Sequence, residues 1–323
     1  MELLPSPEGG GGPHLKKILV LLAQITATIV VTWFIASQAG LTASQLRQVD
    51  FSSWDVHGVL FALSCLVLLV GYFGTGILWG RIVRGLGGPA LGASTSIRLF
   101  MVANLGRYVP GKVWQIAGLV ALARKRDVPA STATAAAVLG QGIGLASATV
   151  VGLMALWTVA DGAAWRWTLP VVLLGGTALA LAPPVFHAVV GAWFRLAKTE
   201  QPGGLRPRRA MGWLGLGLVT WVLYGWAFWI LVESLGLSVT VLPTASAFAA
   251  AYVLGYVMVF APAGLGVREG FLVALMAPQI GAGPAGAVAI IARLWTTVIE
   301  VIPAAAFWTR HVTRSHAATE PHE

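Results

Sequence analysis

A polar, charged interruption inside an otherwise apolar stretch constrains this chain more than any other feature. Asn104-Leu-Gly-Arg-Tyr-Val-Pro-Gly-Lys-Val-Trp-Gln115 carries two cations, a Pro-Gly pair and several amide and indole donors between apolar flanks. Hydrocarbon accepts such backbone only where protein or a water-filled cavity surrounds it. A second segment of the same character, Ala261-Pro-Ala-Gly-Leu-Gly-Val-Arg-Glu-Gly270, lies in the other half of the chain. Any fold must therefore shelter two broken, charged segments at membrane depth.

That the surroundings are a membrane follows from composition. The 323 residues are 57% hydrophobic and 10% charged, whereas soluble domains carry about 25% charged residues. Several apolar runs reach the ~20 residues a helix needs to cross a bilayer. The formal net charge of +9 comes from basic residues in the short loops between these runs, which is the positive-inside pattern. No basic face with interleaved aromatics lies outside the apolar runs, so nucleic acid is not an expected partner. Cys65 is the single cysteine and lies within an apolar run, which leaves no disulfide or thiolate site. The six His are scattered, and neither a metal nor a cofactor is expected.

Residues 1–15 are Gly/Pro-rich and polar, and are expected to form a disordered cytoplasmic leader. Ile18–Ala36 is the first predicted span, longer than the ~7–15-residue apolar core of a cleaved signal. The loop 37–57 faces outward by the charge rule, and Gly58–Gly80 spans back to Arg81 and Arg84 inside. Ser94–Val102 and Ile116–Ala123 are each too short to cross, and basic residues flank both. They predict a re-entrant helical hairpin dipping from the cytoplasm. Pro110 and Gly111 suit its break, since Pro has no N–H to donate and Gly tolerates positive φ.

Ser131–Thr158 is the next span, with Gly140, Gly144, Ala148 and Gly152 as a small-residue stripe for close helix approach. Thr168–Val190 and Met211–Leu235 follow. Thr244–Phe260 and Phe271–Ala277 flank the second break, with its Pro262, Gly264 and Gly266. They predict a second re-entrant hairpin, dipping from the outer face and followed by an uncharged turn at Pro278–Pro284. Ala285–Trp308 is the last span, and 311–323 is a polar cytoplasmic tail.

The expected fold is thus all-α and polytopic, with six transmembrane helices plus two re-entrant helical hairpins in a single transmembrane domain over residues 16–310. Half-repeats 18–158 and 168–308 begin on opposite sides, the inverted-topology arrangement of many secondary transporters. Fifteen of the 21 Lys and Arg fall in cytoplasmic segments. That asymmetry puts both termini in the cytoplasm and the chain in the cell membrane.

An ionisable residue at membrane depth is a functional candidate by default. Arg107, Lys112, Arg268 and Arg293 outnumber Glu269 and Glu300, and such surplus positive charge suits a phosphate, which Arg can grip with its planar fork. Asn104, Tyr108 and Gln115 join them as candidate headgroup contacts, although packing roles fit Tyr108, Trp114 and Gln115 equally. Glu269 and Glu300 are candidates for coupling or ion pairing. Arg268 with Glu300 and Arg293 with Glu269 form the structural alternative, two ion pairs locking the hairpin to the last span. Glu233, near an outer helix end, reads as a solvated carboxylate.

At these residues the chain resembles the transmembrane domain family of lysylphosphatidylglycerol synthase/flippases. The resemblance is carried by Asn104-x-Gly-Arg-Tyr-x-Pro-Gly-Lys-x-Trp-Gln115 and Pro262-x-Gly-x-Gly-x-Arg-Glu-Gly270, with the pattern of spans from about residue 15 to 310. It implies a flippase-like protein acting on aminoacylated phosphatidylglycerol or another polar or polyprenyl-linked lipid. About a dozen residues follow the last span, so the family's aminoacyl-transferase domain is not expected here, and the chain is not expected to be an enzyme.

The leading expectation is a translocator of lipids with an anionic or zwitterionic headgroup. No P-loop is present to bind nucleotide. One alternative is a polyprenyl-phosphate-dependent glycosyltransferase using Asp50 and Asp55 in the first outer loop. Another is a non-transporting scaffold of an envelope-lipid synthesis complex. Membrane lipids are the expected partners, together with a lipid-modifying synthase or glycosyltransferase.

Overall fold

The computed structural model describes residues 54–108, 113–159, 207–257 and 267–317, with a few isolated positions between 171 and 195. The predicted span Ile18–Ala36, most of the first outer loop and nearly all of Thr168–Val190 lie outside the described residues. So do Pro110, Gly111, Lys112, Pro262, Gly264 and Gly266. Among the described residues every regular element is helical.

Gly58–Gly85 carries no charge before Arg81 and forms one continuous helix, α1. Its 28 residues extend about 42 Å at 1.5 Å per residue, more than a ~30 Å hydrocarbon core requires. Gly87, at φ +81°, turns the chain out of the helix, and the Gly88 amide donates back to the Val83 carbonyl at 3.0 Å. A left-handed glycine of this kind satisfies carbonyls left open at the helix end.

The first charged interruption is a helix–break–helix unit. Helix α2 (Ala93–Asn104) runs into a 3-10 turn at Leu105–Tyr108, and α3 (Val113–Arg124) leads away from the break. Gly106 allows the two arms to meet, because a Cβ there would lie 2.8 Å from the backbone of Trp114 and Gln115. Helix α4 (Ala130–Val159) and helix α5 (Pro207–Ser234) are again long and apolar. α5 opens on Pro207, whose missing N–H costs nothing in the first helical turn.

Helices α6 (Val241–Val257) and α7 (Val267–Ile280) flank the second interruption, and α8 spans Ala282–Ala317. Two expectations are corrected here. The stretch Pro278–Pro284 is not a turn: α7 runs through Pro278, and Gly281 alone, at φ +82°, separates it from α8. Pro278 sits in the last turn of α7, so its missing N–H and its ring affect one intrahelical carbonyl, that of Ala274. The last helix also continues past Trp308 to Ala317.

Among the described residues four helices, α1, α4, α5 and α8, are long and apolar enough to cross a membrane. Their surfaces agree with that role. Val59, Val219, Trp226 and Ile302 are each more than half exposed, and only 28% of the most apolar window of α1 is covered by protein. In water such a surface would drive aggregation. The chain is an all-α, polytopic membrane protein.

Two buried cores hold the helices together. One gathers Trp79, Ile82 and Leu86 of α1 with Leu119 of α3, Ala136 of α4 and Trp213 of α5. The other gathers Leu68 and Tyr72 of α1 with Phe228 of α5, Phe248 of α6, Leu272 of α7 and Trp295 of α8. Gly152 of the small-residue stripe is the point of closest helix approach between α4 and α6, since a Cβ there would lie 2.7 Å from the Ala250 amide nitrogen. Gly140 and Gly144 have ordinary room.

Candidate functional site

A cavity of about 100 Å³ draws its walls from both cores, Leu78 coming from one and Phe248 from the other. Arg107, from the first break, and Arg268, from the edge of the second, both line it. Asn104, Gln115 and Glu300 line it as well, whereas Tyr108, Arg293 and Glu269 stand outside its wall.

Glu300 is 3% exposed on α8 and takes three donors. Its Oε1 accepts from Tyr72 of α1 and from the Arg107 guanidinium, and its Oε2 accepts from the Tyr108 hydroxyl at 2.6 Å. One carboxylate therefore fastens α8 to α1 and to the first break. Hydrogen bonds to an ionised acceptor are roughly twice as strong as neutral ones. The expected pair Arg268–Glu300 is not formed; Glu300 belongs to Arg107. The turn Leu105–Tyr108 brings both Arg107 and Tyr108 onto the same carboxylate.

Arg268 lies in the first turn of α7, with its Cζ 4.8 Å from the Phe248 ring centroid and 5.9 Å from that of Tyr252. Aromatic faces attract a guanidinium without neutralising it. Among the described residues no carboxylate comes within ion-pair distance of Arg268. Gly255 makes room for it, since a Cβ at that position would sit 2.8 Å from the Arg268 Cβ. The other expected pair is present: Arg293 Nη1 lies 4.0 Å from Glu269 Oε1. Glu269 also sits at the N-terminal end of α7, where a negative charge favours the helix dipole.

Gln115 donates to Asn104 Oδ1 at 2.7 Å, tying α3 to the end of α2 across the first break. Trp114 is 53% exposed. Glu233 is more than a solvated carboxylate, because it accepts from the Val239 amide at 3.1 Å and braces the connection from α5 to α6. Asp55 is exposed and lies 3.7 Å from His57; Asp50 falls outside the described residues.

The rest of the chamber is aromatic. Tyr72 meets Tyr224 at 5.4 Å between ring centroids, and Trp221 meets Tyr224 at 5.3 Å and Tyr252 at 4.6 Å. The Tyr224 hydroxyl is 2.8 Å from Thr75 Oγ1, and Tyr256 stacks on Tyr252. The chain has five tyrosines, and every one is in or beside this site. Tyr72, Thr75, Gln141, Trp221, Tyr224 and Tyr252 were not among the candidates drawn from the sequence. A signal for them existed: tyrosines are few here, and Tyr72, Tyr224 and Tyr252 sit mid-helix rather than at helix ends, where interfacial aromatics gather.

Long apolar helices wrapped around a buried chamber with ionised walls define an integral membrane protein with an internal polar site. More particularly, the chain belongs to the family described as the lysylphosphatidylglycerol synthase TM region, whose model matches residues 18–304. No curated protein and no solved structure matches the chain. Family and fold are consistent with a lipid-handling integral membrane protein.

Proposed function

We propose that the chain binds a lipid through an anionic or zwitterionic phosphate headgroup in this chamber and moves that headgroup across the bilayer. One observation carries the reading: Arg107 and Arg268, contributed by separate interruptions of the chain, line one cavity. Of the described charged side chains bordering it, two are cationic and only Glu300 is anionic. A phosphodiester matches the remaining charge. Arg268, free of any described carboxylate, is the first anchor. Arg107 becomes a second wherever phosphate displaces Glu300 from it. Asn104, Gln115 and Lys112 complete the proposed contact set, and Glu269 and Glu300 are candidates for coupling.

The architecture that suits this reading is a single transmembrane domain over 16–310, with six spans and two re-entrant hairpins. Inverted half-repeats at 18–158 and 168–308 would give access from opposite faces, with both termini cytoplasmic. The helix–break–helix units α2–α3 and α6–α7 support it. The substrate class proposed is aminoacylated phosphatidylglycerol or a polyprenyl-linked lipid, delivered by a lipid-modifying synthase or glycosyltransferase.

The test is reconstitution into liposomes containing chain-labelled phosphatidylglycerol, with leaflet exchange followed by a membrane-impermeant quencher. The wild type is expected to accelerate exchange, and Arg268→Ala to lose at least ten-fold of that rate while melting at a similar temperature. Failure to accelerate any anionic lipid, or full activity of Arg268→Ala, removes the proposal.

A further inference from the structure

A smaller cavity of about 40 Å³ adjoins the chamber. The two share Thr75, Phe100, Gln115 and Gln141, so they are neighbouring parts of one recess. The smaller part is otherwise apolar, with Ile116, Leu119 and Ala137 in its wall, and Trp79 completes it.

Two of the four polar side chains in this wall are already engaged. Gln115 is bonded to Asn104, and Thr75 to Tyr224. Two are not. Trp79 is 2% exposed and its Nε1 has no acceptor. Gln141 lies within the apolar helix α4 and forms no hydrogen bond with any described residue. A buried donor left unpaired, as the Trp79 indole is, carries its full desolvation cost and calls for an explanation, and the half-buried Gln141 amide lines the same wall. An indole N–H can only donate, and a Gln amide can donate as well. The ligand group that satisfies both is an uncharged acceptor in apolar surroundings.

Its position narrows the chemistry. Trp79 follows Tyr72 by two turns of α1, roughly 10 Å along the axis, and Tyr72 marks the level of the Arg107–Glu300 pair. A lipid with its phosphate at Arg268 would bring to the smaller recess the atoms just past the headgroup. In a glycerolipid these include ester carbonyls. A polyprenyl phosphate has only hydrocarbon there, and would leave Trp79 and Gln141 unpaired.

We propose that Trp79 and Gln141 form a specificity subsite that donates hydrogen bonds to an ester carbonyl at the junction of headgroup and acyl chain. The recess accordingly selects ester-linked anionic glycerolipids over ether-linked or polyprenyl counterparts. This rests on the phosphate-binding reading above for the placement of the headgroup.

The experiment compares dioleoyl phosphatidylglycerol with its diether analogue, which differs only in lacking the carbonyls. Competition binding to the purified full chain and leaflet exchange in liposomes are both measured. Wild type is expected to favour the diester about five-fold or more in binding. Trp79→Phe, which keeps an aromatic ring but removes the N–H, and Gln141→Leu should each bring the ratio towards one. Two variants guard against one of them failing to fold. Equal binding of diester and diether by wild type overturns the subsite, as does an undiminished preference in both variants; exchange of both lipids would then leave the translocation proposal standing. Diester preference in binding without leaflet exchange supports the subsite while removing translocation. Binding of neither lipid overturns the subsite and the phosphate site together.

Discussion

Arg107 and Arg268 face one chamber from two interruptions of the chain, yet their surroundings differ in kind. Arg107 is paired with a carboxylate that two tyrosines also grip. Arg268 rests against Phe248 and Tyr252, with no described carboxylate at ion-pair distance. The first arrangement is a fastening. Removing one partner of a buried ion pair leaves the other charged and dry, which costs far more than the pair itself contributes. The second leaves a cation whose attraction to aromatic faces is weak, on the order of 0.5–2 kcal/mol. Similar interruptions can thus serve unlike ends, one holding helices together and the other keeping a charge available.

The sharpest way to break this comparison is Glu300→Ala. It strips Arg107, Tyr72 and Tyr108 of their acceptor together, and the expected loss is about 3 kcal/mol of stability, the low end for a broken buried pair because the Arg107 side chain is 35% exposed, read as a fall in melting temperature in detergent. Adding Arg107→Ala should restore part of that loss, because no buried charge is then left unpaired. A double variant as unstable as the sum of the single ones would show that the pair does not act as a unit.

Next in size is the pinch between the two arms of the first break. Gly106→Ala forces a Cβ against the backbone of Trp114 and Gln115, and overpacking of this kind costs about 1–3 kcal/mol. Gly118→Ala, whose Cβ would meet nothing closer than 3.9 Å, should be nearly neutral in the same melts. Equal effects at the two glycines would argue against the close approach of the arms.

Tyr224→Phe, which removes the hydroxyl beside Thr75, should cost roughly 0.5–1.5 kcal/mol. Arg268→Ala should change stability least, by under about 1 kcal/mol, while removing anionic-lipid binding. Arg268→Lys keeps the charge but loses the planar fork and the stacking surface, so binding should fall only partway. A strongly destabilised Arg268→Ala would place this arginine with Arg107 among the fastenings.

The helices were largely legible because their signals are local. The spans expected at 58–80 and 131–158 fall within α1 and α4, and that at 211–235 overruns α5 by its last residue alone. The stretches between α2 and α3 and between α6 and α7 lie where charge, Pro and Gly cluster in the sequence. Where the sequence misled, the cause was also local: Pro278 and Pro284 suggested a turn, but one glycine sufficed to make it. The chamber was legible only in part. Its charged members stood out against apolar sequence, whereas Tyr72, Tyr224 and Tyr252 read as ordinary aromatics, because nothing in one helix shows that two others turn the same residue type inward.

Hydropathy and helix-breaking residues thus determined, from the sequence alone, that the chain enters a membrane, where its helices run and where they are interrupted. The tertiary structure alone decided which charges meet. Glu300 lies 193 positions from Arg107 and 228 from Tyr72 along the chain, yet one carboxylate binds both, while Arg268 is left to the aromatic rings. Helix formation depends on neighbours a few residues away. Ion pairing falls off over a few ångströms of space, and only the packing of α1, α8 and the first break sets those distances.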